Sequence, residues 1–201
     1  MAYTDFTLEK LELQFGIKNQ ITPLFPQHSS IEPSHKLKES LELAKELPIR
    51  SEKAKSESII FPILVELRQI NHKFFTIYSG DNLNADEEKG LKGECDFILT
   101  KDTHSFNINC PIIHIVEAKK NDLEIGVPQC AAQLLGAKLF NEKRNVMLDV
   151  IYGCVTTGDE WLFMKLEHDL FIDTRKYYLN EINELLGIFQ EIIDYYQEKL
   201  K

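Results

Sequence analysis

Three charged residues interrupt or end two apolar segments in the middle of the chain. Asp96 lies within the segment 94–100, and Glu117 and Lys119 stand at the end of the segment that begins at residue 111. Alternation along a strand places Glu117 and Lys119 on one face of a sheet. A charge at the end of a buried strand is costly unless it is paired or binds a metal ion. If the two segments form a hairpin with residues 101–109 as its loop, Asp96 lies beside Glu117.

This combination of charges predicts a site for a hard divalent cation, with Mg²⁺ expected and Mn²⁺ as an alternative. Mg²⁺ prefers oxygen ligands and is usually held by one or two carboxylates together with water. Such an ion neutralises charge that develops on a phosphate, and Lys119 would position the attacking water or stabilise that charge. A structural salt bridge between Lys119 and either carboxylate explains the same pattern, so the residues alone leave both interpretations open.

Three further polar residues are candidates for the edge of this site. Glu57 stands at the start of a predicted helix, on the stripe of its apolar residues, so it either points toward the site or stabilises the helix N-terminus. Gln129 and Gln133 are one turn apart on a second predicted helix. These two amides either support the site or bond neighbouring backbone groups, and Gln129 is the stronger candidate.

The elements predicted around these residues form a mixed α/β sheet. Runs of β-branched and aromatic residues predict strands at 73–79, 94–100, 111–118, 149–156, 161–166 and 170–174. The spacing of apolar residues predicts helices at 7–15, 33–46, 56–71, 128–141 and 180–199. This order of elements is typical of a sheet with helices packed against it.

Other residues within these elements are predicted to be structural. Glu66 stands at the margin of the apolar stripe of its helix and is expected in solvent. His114 alternates onto the face opposite Glu117 and is expected to pack inside the protein. Trp161 and Phe163 are expected in the core rather than on a base-stacking surface.

The composition is that of a globular protein. The chain has 201 residues, of which 43% are hydrophobic and 27% charged, and this excludes collagen-like, coiled-coil and low-complexity chains. The four cysteines form no CxxC pair, and neither a signal peptide nor an apolar segment of membrane-spanning length is evident. We therefore expect a cytoplasmic protein that makes no membrane contact.

The chain divides into an arm and one domain. Residues 1–50 hold four of the seven prolines and no chemical motif, so they are predicted to pack on the core or on a second copy in a homodimer. Residues 51–201 form the predicted domain. The net charge of −9 argues against nucleic-acid binding through bulk electrostatics, so any such binding is expected to be local and metal-assisted.

The motif formed by Asp96 and Glu117-Ala118-Lys119 resembles the signature of the PD-(D/E)XK nuclease superfamily, whose members have the restriction-endonuclease-like fold. In that family the Asp lies on the second core strand and the acid-x-Lys ends the third. The resemblance covers residues 56–166 and extends to small bacterial members of the superfamily. One departure is Cys95, which stands where the family often has proline.

This resemblance implies a core of four to six strands flanked by helices, with the helical arm outside it. It implies a Mg²⁺-dependent endonuclease acting on nucleic acid, with DNA favoured over RNA, in which Asp96, Glu117 and Glu57 hold the metal. Lys119 would serve the water, and Gln129 would support the site. The alternatives are a catalytically inactive module of the same fold that acts through protein contacts, and a metal-dependent enzyme acting on a non-nucleic phosphoester.

Overall fold

A computed structural model of the chain describes residues 1–101 and 104–201, so residues 102 and 103 of the predicted hairpin loop lie outside the described residues. One mixed sheet runs through the molecule in the order β1-β7-β6-β5-β4-β3-β2, and β8 pairs with β6. Its strands are β1 (Asn19–Ile21), β2 (Thr76–Asn82), β3 (Glu94–Thr100), β4 (Ile112–Ala118), β5 (Ile151–Thr156), β6 (Glu160–Leu166), β7 (Leu170–Ile172) and β8 (Tyr177–Tyr178).

Helices cover both faces of this sheet. They are α1 (Leu8–Phe15), α2 (His35–Lys45), α3 (Glu52–Lys55), α4 (Phe61–Ile70), α5 (Leu123–Glu142) and α6 (Ile182–Lys199). Helix α5 packs on β4, β5 and β6 and shares one core with α1, whereas residues of α2, α4 and α6 belong to a second core on the opposite face. The predicted mixed α/β class is therefore confirmed.

The sheet is larger than predicted. The sequence predicted four to six strands, and the described residues contain eight. The two additional strands are β1, which pairs in parallel with β7, and β8, which pairs with the start of β6. Both are very short, and all three β1 side chains are exposed. An edge strand of this kind carries no alternation of apolar and polar residues, so no periodic signal marks it.

The helix that precedes the sheet begins earlier than predicted. Its start was predicted at residue 56, but Ser51 caps it by accepting a hydrogen bond from the backbone N–H of Ala54. Helix α3 then passes through a π turn, Ser56–Ile60, into α4. Pro62 has no N–H to offer the preceding turn, and the wider turn lies directly before it. The acid in the first turn is therefore Glu52 rather than Glu57.

Helix α5 also begins before its predicted start at residue 128. The Asp122 side chain accepts a hydrogen bond from the backbone N–H of Glu124 and caps the helix there. Pro128 consequently lies inside the helix. Gln129 and Gln133 thus stand in the middle of α5, on the turns that pack against the sheet.

The first fifty residues lie against the sheet and its helices. Tyr3 is buried, and its hydroxyl donates a hydrogen bond of 2.9 Å to the backbone carbonyl of Leu83. A Cβ atom on Gly136 of α5 would lie 2.1 Å from the Tyr3 hydroxyl, so the glycine makes room for this ring. The division between an arm and a domain at residue 50 stays a prediction.

Four predictions about individual residues have clear outcomes. His114, Trp161 and Phe163 are buried as predicted. The expectation that Glu66 is solvated was wrong, because Glu66 is buried and accepts hydrogen bonds from the backbone N–H and the hydroxyl of Ser34. Its carboxylate thereby binds the N-terminus of α2, where an acidic group is stabilised by the helix dipole.

Candidate active site

The predicted hairpin forms and brings the two acidic residues together. Strands β3 and β4 are antiparallel with Phe97 opposite Val116, so the next position places Asp96 opposite Glu117. The Asp96 carboxylate accepts a hydrogen bond of 2.7 Å from the backbone N–H of Ala118. Both acids line one cavity of about 370 Å³, together with Lys119.

Both carboxylate oxygens of Glu117 accept hydrogen bonds from other side chains. Its side chain is buried, with 1% of the residue exposed. The Lys119 ammonium donates a hydrogen bond to Oε1, and the Gln133 amide donates one of 2.7 Å to Oε2. Gln133 is itself fully buried, and its Oε1 has no hydrogen-bond partner among the described residues. This network fixes the orientation of the carboxylate before any ligand is present.

Burial and mutual repulsion perturb the two carboxyl groups. Burial and, after it, repulsion from the nearby Asp96 carboxylate raise the pKa of Glu117 to about 7, although Lys119 and Gln133 oppose the shift. Burial also raises the pKa of Asp96, although the hydrogen bond from Ala118 opposes that shift. Burial alone would lower the pKa of Lys119, but the charge and hydrogen bond of Glu117 outweigh it, so the pKa is raised. Lys119 is therefore cationic at neutral pH.

A further acid at the site was not among the predicted residues. Glu52, in the first turn of α3, lines the same cavity as Asp96, Glu117 and Lys119. It lies close enough for its charge to contribute to raising the pKa of Asp96, after the larger effect of burial. The signal that could have found it is the Ser51 cap, because an acid directly after a serine cap is favoured in the first turn.

Glu57 occupies a different position from the predicted one. Its side chain is 66% exposed, and its carboxylate lies 3.9 Å from the Lys53 ammonium. It lines a neighbouring cavity of about 390 Å³, to which Asp96 and Glu52 also contribute. The two cavities share Glu52, Glu94 and Asp96, whereas Glu57 lines only the neighbouring one of the two.

The two glutamines of α5 divide the predicted supporting role between them. Gln133 makes the direct hydrogen bond to Glu117. Gln129 is half-buried and lines the cavity. The sequence favoured Gln129 for the supporting role, but Gln133 is the glutamine that bonds Glu117, a candidate metal ligand.

The N-terminal segment supplies part of the cavity wall. Ala2, Tyr3 and Thr4 line it, and the backbone N–H of Tyr3 donates a hydrogen bond to the carbonyl of Lys92. The cavity is therefore bounded by five separate parts of the chain: the N-terminal segment, α3, β3, the end of β4 and α5.

The donor set fits a hard divalent cation. Four carboxylates line the cavity against the single ammonium of Lys119 (Glu52, Glu94, Asp96 and Glu117). Within residues 1–101 and 104–201, no group of three or more His, Cys, Asp or Glu side chains is already arranged to enclose a metal ion. Mg²⁺ requires no such cage, because it is usually bound by one or two carboxylates and retains several waters. The excess of negative charge and the raised carboxyl pKa values both favour a bound cation.

Comparison with known proteins finds no matching family model, no matching curated protein and no matching solved structure. No helix in the described part of the chain combines the length and apolar character needed to cross a membrane.

Proposed function

We propose that the protein is a metal-dependent nuclease that hydrolyses phosphodiester bonds in nucleic acid, as an endonuclease with the restriction-endonuclease-like arrangement. The observation that supports this most strongly is the placement of Asp96 opposite Glu117, with Lys119 hydrogen-bonded to Glu117 in the same cavity. A buried acid paired with a lysine at the end of a central strand would put the lysine's positive charge beside a bound phosphodiester, where it would stabilise the negative charge that develops during hydrolysis.

The proposed cofactor is Mg²⁺, with Mn²⁺ as a substitute. Asp96 and Glu117 would hold the ion, and Glu52 is placed to assist on the same cavity wall. Glu57 would act from the neighbouring cavity. When bound, the ion would supply positive charge for the phosphoryl oxygens, which the acidic cavity otherwise repels.

The remaining residues act through position and charge. Lys119 carries the one ammonium in the lining of this cavity, so it would orient a water or stabilise the negative charge that develops on the phosphate. Gln133 keeps the Glu117 carboxylate in place through the bond to Oε2, and Gln129 would contact solvent or substrate at the cavity wall.

The expected substrate contacts are few and local. The chain carries 32 acidic and 23 basic side chains, so its net negative charge provides no long-range attraction to a polyanion. A protein that neutralises few phosphates shows a shallow dependence of affinity on salt. We therefore expect DNA to be bound weakly, with the metal supplying much of the attraction.

Cleavage of single-stranded DNA, duplex DNA and RNA in Mg²⁺ or Mn²⁺ tests this proposal. Native protein is compared with Lys119→Met and with Lys120→Met, a matched control at the exposed neighbouring lysine. We expect Lys119→Met to lower the cleavage rate by roughly a hundredfold or more, Lys120→Met to retain activity, and EDTA to abolish it. Equal cleavage by native protein and Lys119→Met would refute the mechanism.

A catalytically inactive module of this fold is the second candidate. The observation that favours it is that both Glu117 oxygens are already bonded within the protein, as in a structural ion pair. Calorimetric titration with Mg²⁺ and Mn²⁺ separates the two functions. Binding that Asp96→Asn abolishes supports the nuclease, whereas the absence of binding together with the absence of cleavage supports the module.

A further inference from the structure

We propose that a small aromatic cavity beside the catalytic groove takes an unpaired nucleobase, so that the preferred substrate is single-stranded or locally unpaired nucleic acid. This inference rests on the proposed nuclease function and specifies its substrate. The cavity has a volume of about 250 Å³ and is lined by Ser56, Glu57, Phe61, Ser79 and Phe97.

Phe61 is an exposed aromatic ring in a rigid setting. It stands at the first position of α4, directly after the π turn, and is 41% exposed. Its ring stacks on that of Phe97, with centroids 6.3 Å apart and planes 21° from parallel. Phe97 belongs to β3 and is buried, so the core of the sheet supports the exposed ring. The apolar residues that follow Phe61 in α4 face the core instead.

The polar rim suits the edge of a nucleobase. Ser56, Ser79 and Glu57, whose side chains carry two hydroxyl groups and a carboxylate, also line the cavity. A base presents an aromatic face and a rim of hydrogen-bond donors and acceptors. A cavity with an aromatic wall and hydroxyl and carboxylate groups at its edge offers partners to both.

The position of the cavity connects it with the proposed reaction. Ser56, Glu57, Ser79 and Phe97 also line the neighbouring cavity of about 390 Å³, to which Asp96 contributes. A base held on Phe61 would therefore lie next to the groove in which its own strand meets the candidate metal site. In a duplex both faces of each base are covered by neighbouring bases, so only an unpaired or extruded base can stack on the ring.

Binding measurements without catalysis test the inference. Fluorescence anisotropy with a short single-stranded DNA and its duplex, both in Ca²⁺, compares native protein with Phe61→Leu, Phe61→Trp and Phe106→Leu. Phe106 is a matched control because it is 98% exposed and follows β3 in the hairpin loop, at the end of the strand away from Asp96. We expect Phe61→Leu to weaken single-strand binding about tenfold. Phe61→Trp should retain it, and Phe106→Leu should leave it unchanged.

The outcomes distinguish this inference from the proposed function. Cleavage and single-strand binding that survive Phe61→Leu unchanged, or duplex binding as tight as single-strand binding, would overturn the base site and leave the nuclease intact. A change of oligomeric state in Phe61→Leu with unchanged DNA binding would assign the ring to a protein contact and overturn the inference. If native protein neither binds nor cleaves any nucleic acid, the proposed function fails and the base site fails with it.

Discussion

His114 should make the stability of the protein depend on pH in a way that one substitution removes. The residue is 2% exposed, and its ring lies 5.5 Å from Phe189 and 6.5 Å from Phe163, centroid to centroid. Neither ring nitrogen has a hydrogen-bond partner among the described residues. Burial in this apolar environment lowers the pKa of His114 to about 3.

The sign and the size of the effect follow from the two pKa values. The ordinary histidine pKa of 6.5 applies to the unfolded chain. As the pH falls below 6.5, His114 binds a proton in the unfolded state but stays neutral in the folded state, so the free energy of unfolding decreases. One pKa unit corresponds to about 1.36 kcal/mol, so the loss from this residue reaches about 3 kcal/mol at about pH 4.5. Above about pH 7.5 the contribution vanishes.

Urea denaturation at about pH 7.5 and about pH 4.5 measures this contribution. Carboxyl groups also titrate in this range, so the native protein is compared with His114→Leu, which keeps an apolar side chain of similar size in the core. The acid-induced loss of stability should be about 3 kcal/mol smaller in His114→Leu. His35→Gln, a control at an exposed histidine, should match the native protein. Equal acid-induced losses in His114→Leu and the native protein would refute the reasoning.

Three further substitutions test contacts in the site and elsewhere in the fold. Gln133→Leu should lower the free energy of unfolding by about 1–3 kcal/mol. The loss should be larger at about pH 8 than at about pH 5, because Glu117 is ionised at the higher pH and one of its oxygens has lost its hydrogen bond. Denaturation at both pH values measures the difference. Glu66→Gln should cost about 1–2 kcal/mol because the N-terminus of α2 loses its charged acceptor, and a thermal melt at neutral pH measures the loss. Gly136→Ala should lower the free energy of unfolding by about 1–3 kcal/mol, because the new methyl group occupies the place of the Tyr3 hydroxyl. Faster hydrogen exchange at the backbone N–H of Tyr3 would report the displacement of the ring. Unchanged stability and unchanged exchange would contradict the prediction.

The centre of the site could be predicted because the relevant signals are local. Asp96 and Glu117 stand out as charges in apolar strands, and one short hairpin decides that they meet. The helix that adjoins them was harder to place. Residues 51–58 contain three serines, each able to cap a helix, and only packing against the sheet selects Ser51. The choice of cap then decides that Glu52 rather than Glu57 lines the cavity that contains Glu117 and Lys119.

Residues far apart in sequence account for most of what could not be predicted. Glu66 has the charge and spacing of a surface residue, and its burial depends on Ser34, which lies 32 positions earlier in the chain. Gln129 and Gln133 lie on the same face of a helix one turn apart, so only the way α5 packs against β4 selects Gln133 as the partner of Glu117.

The parallel pairing of β1 with β7 has a consequence for the order of folding. Asn19 of β1 pairs with Leu170 of β7, and the Tyr3 ring packs on Gly136 of α5. Contacts between such distant segments require the closure of long loops and form late. We therefore expect the cavity wall at residues 2–4 to assemble after the central hairpin. The folding chain would then carry its paired acids in an open groove, and the groove would close only when the Tyr3 ring has packed on α5.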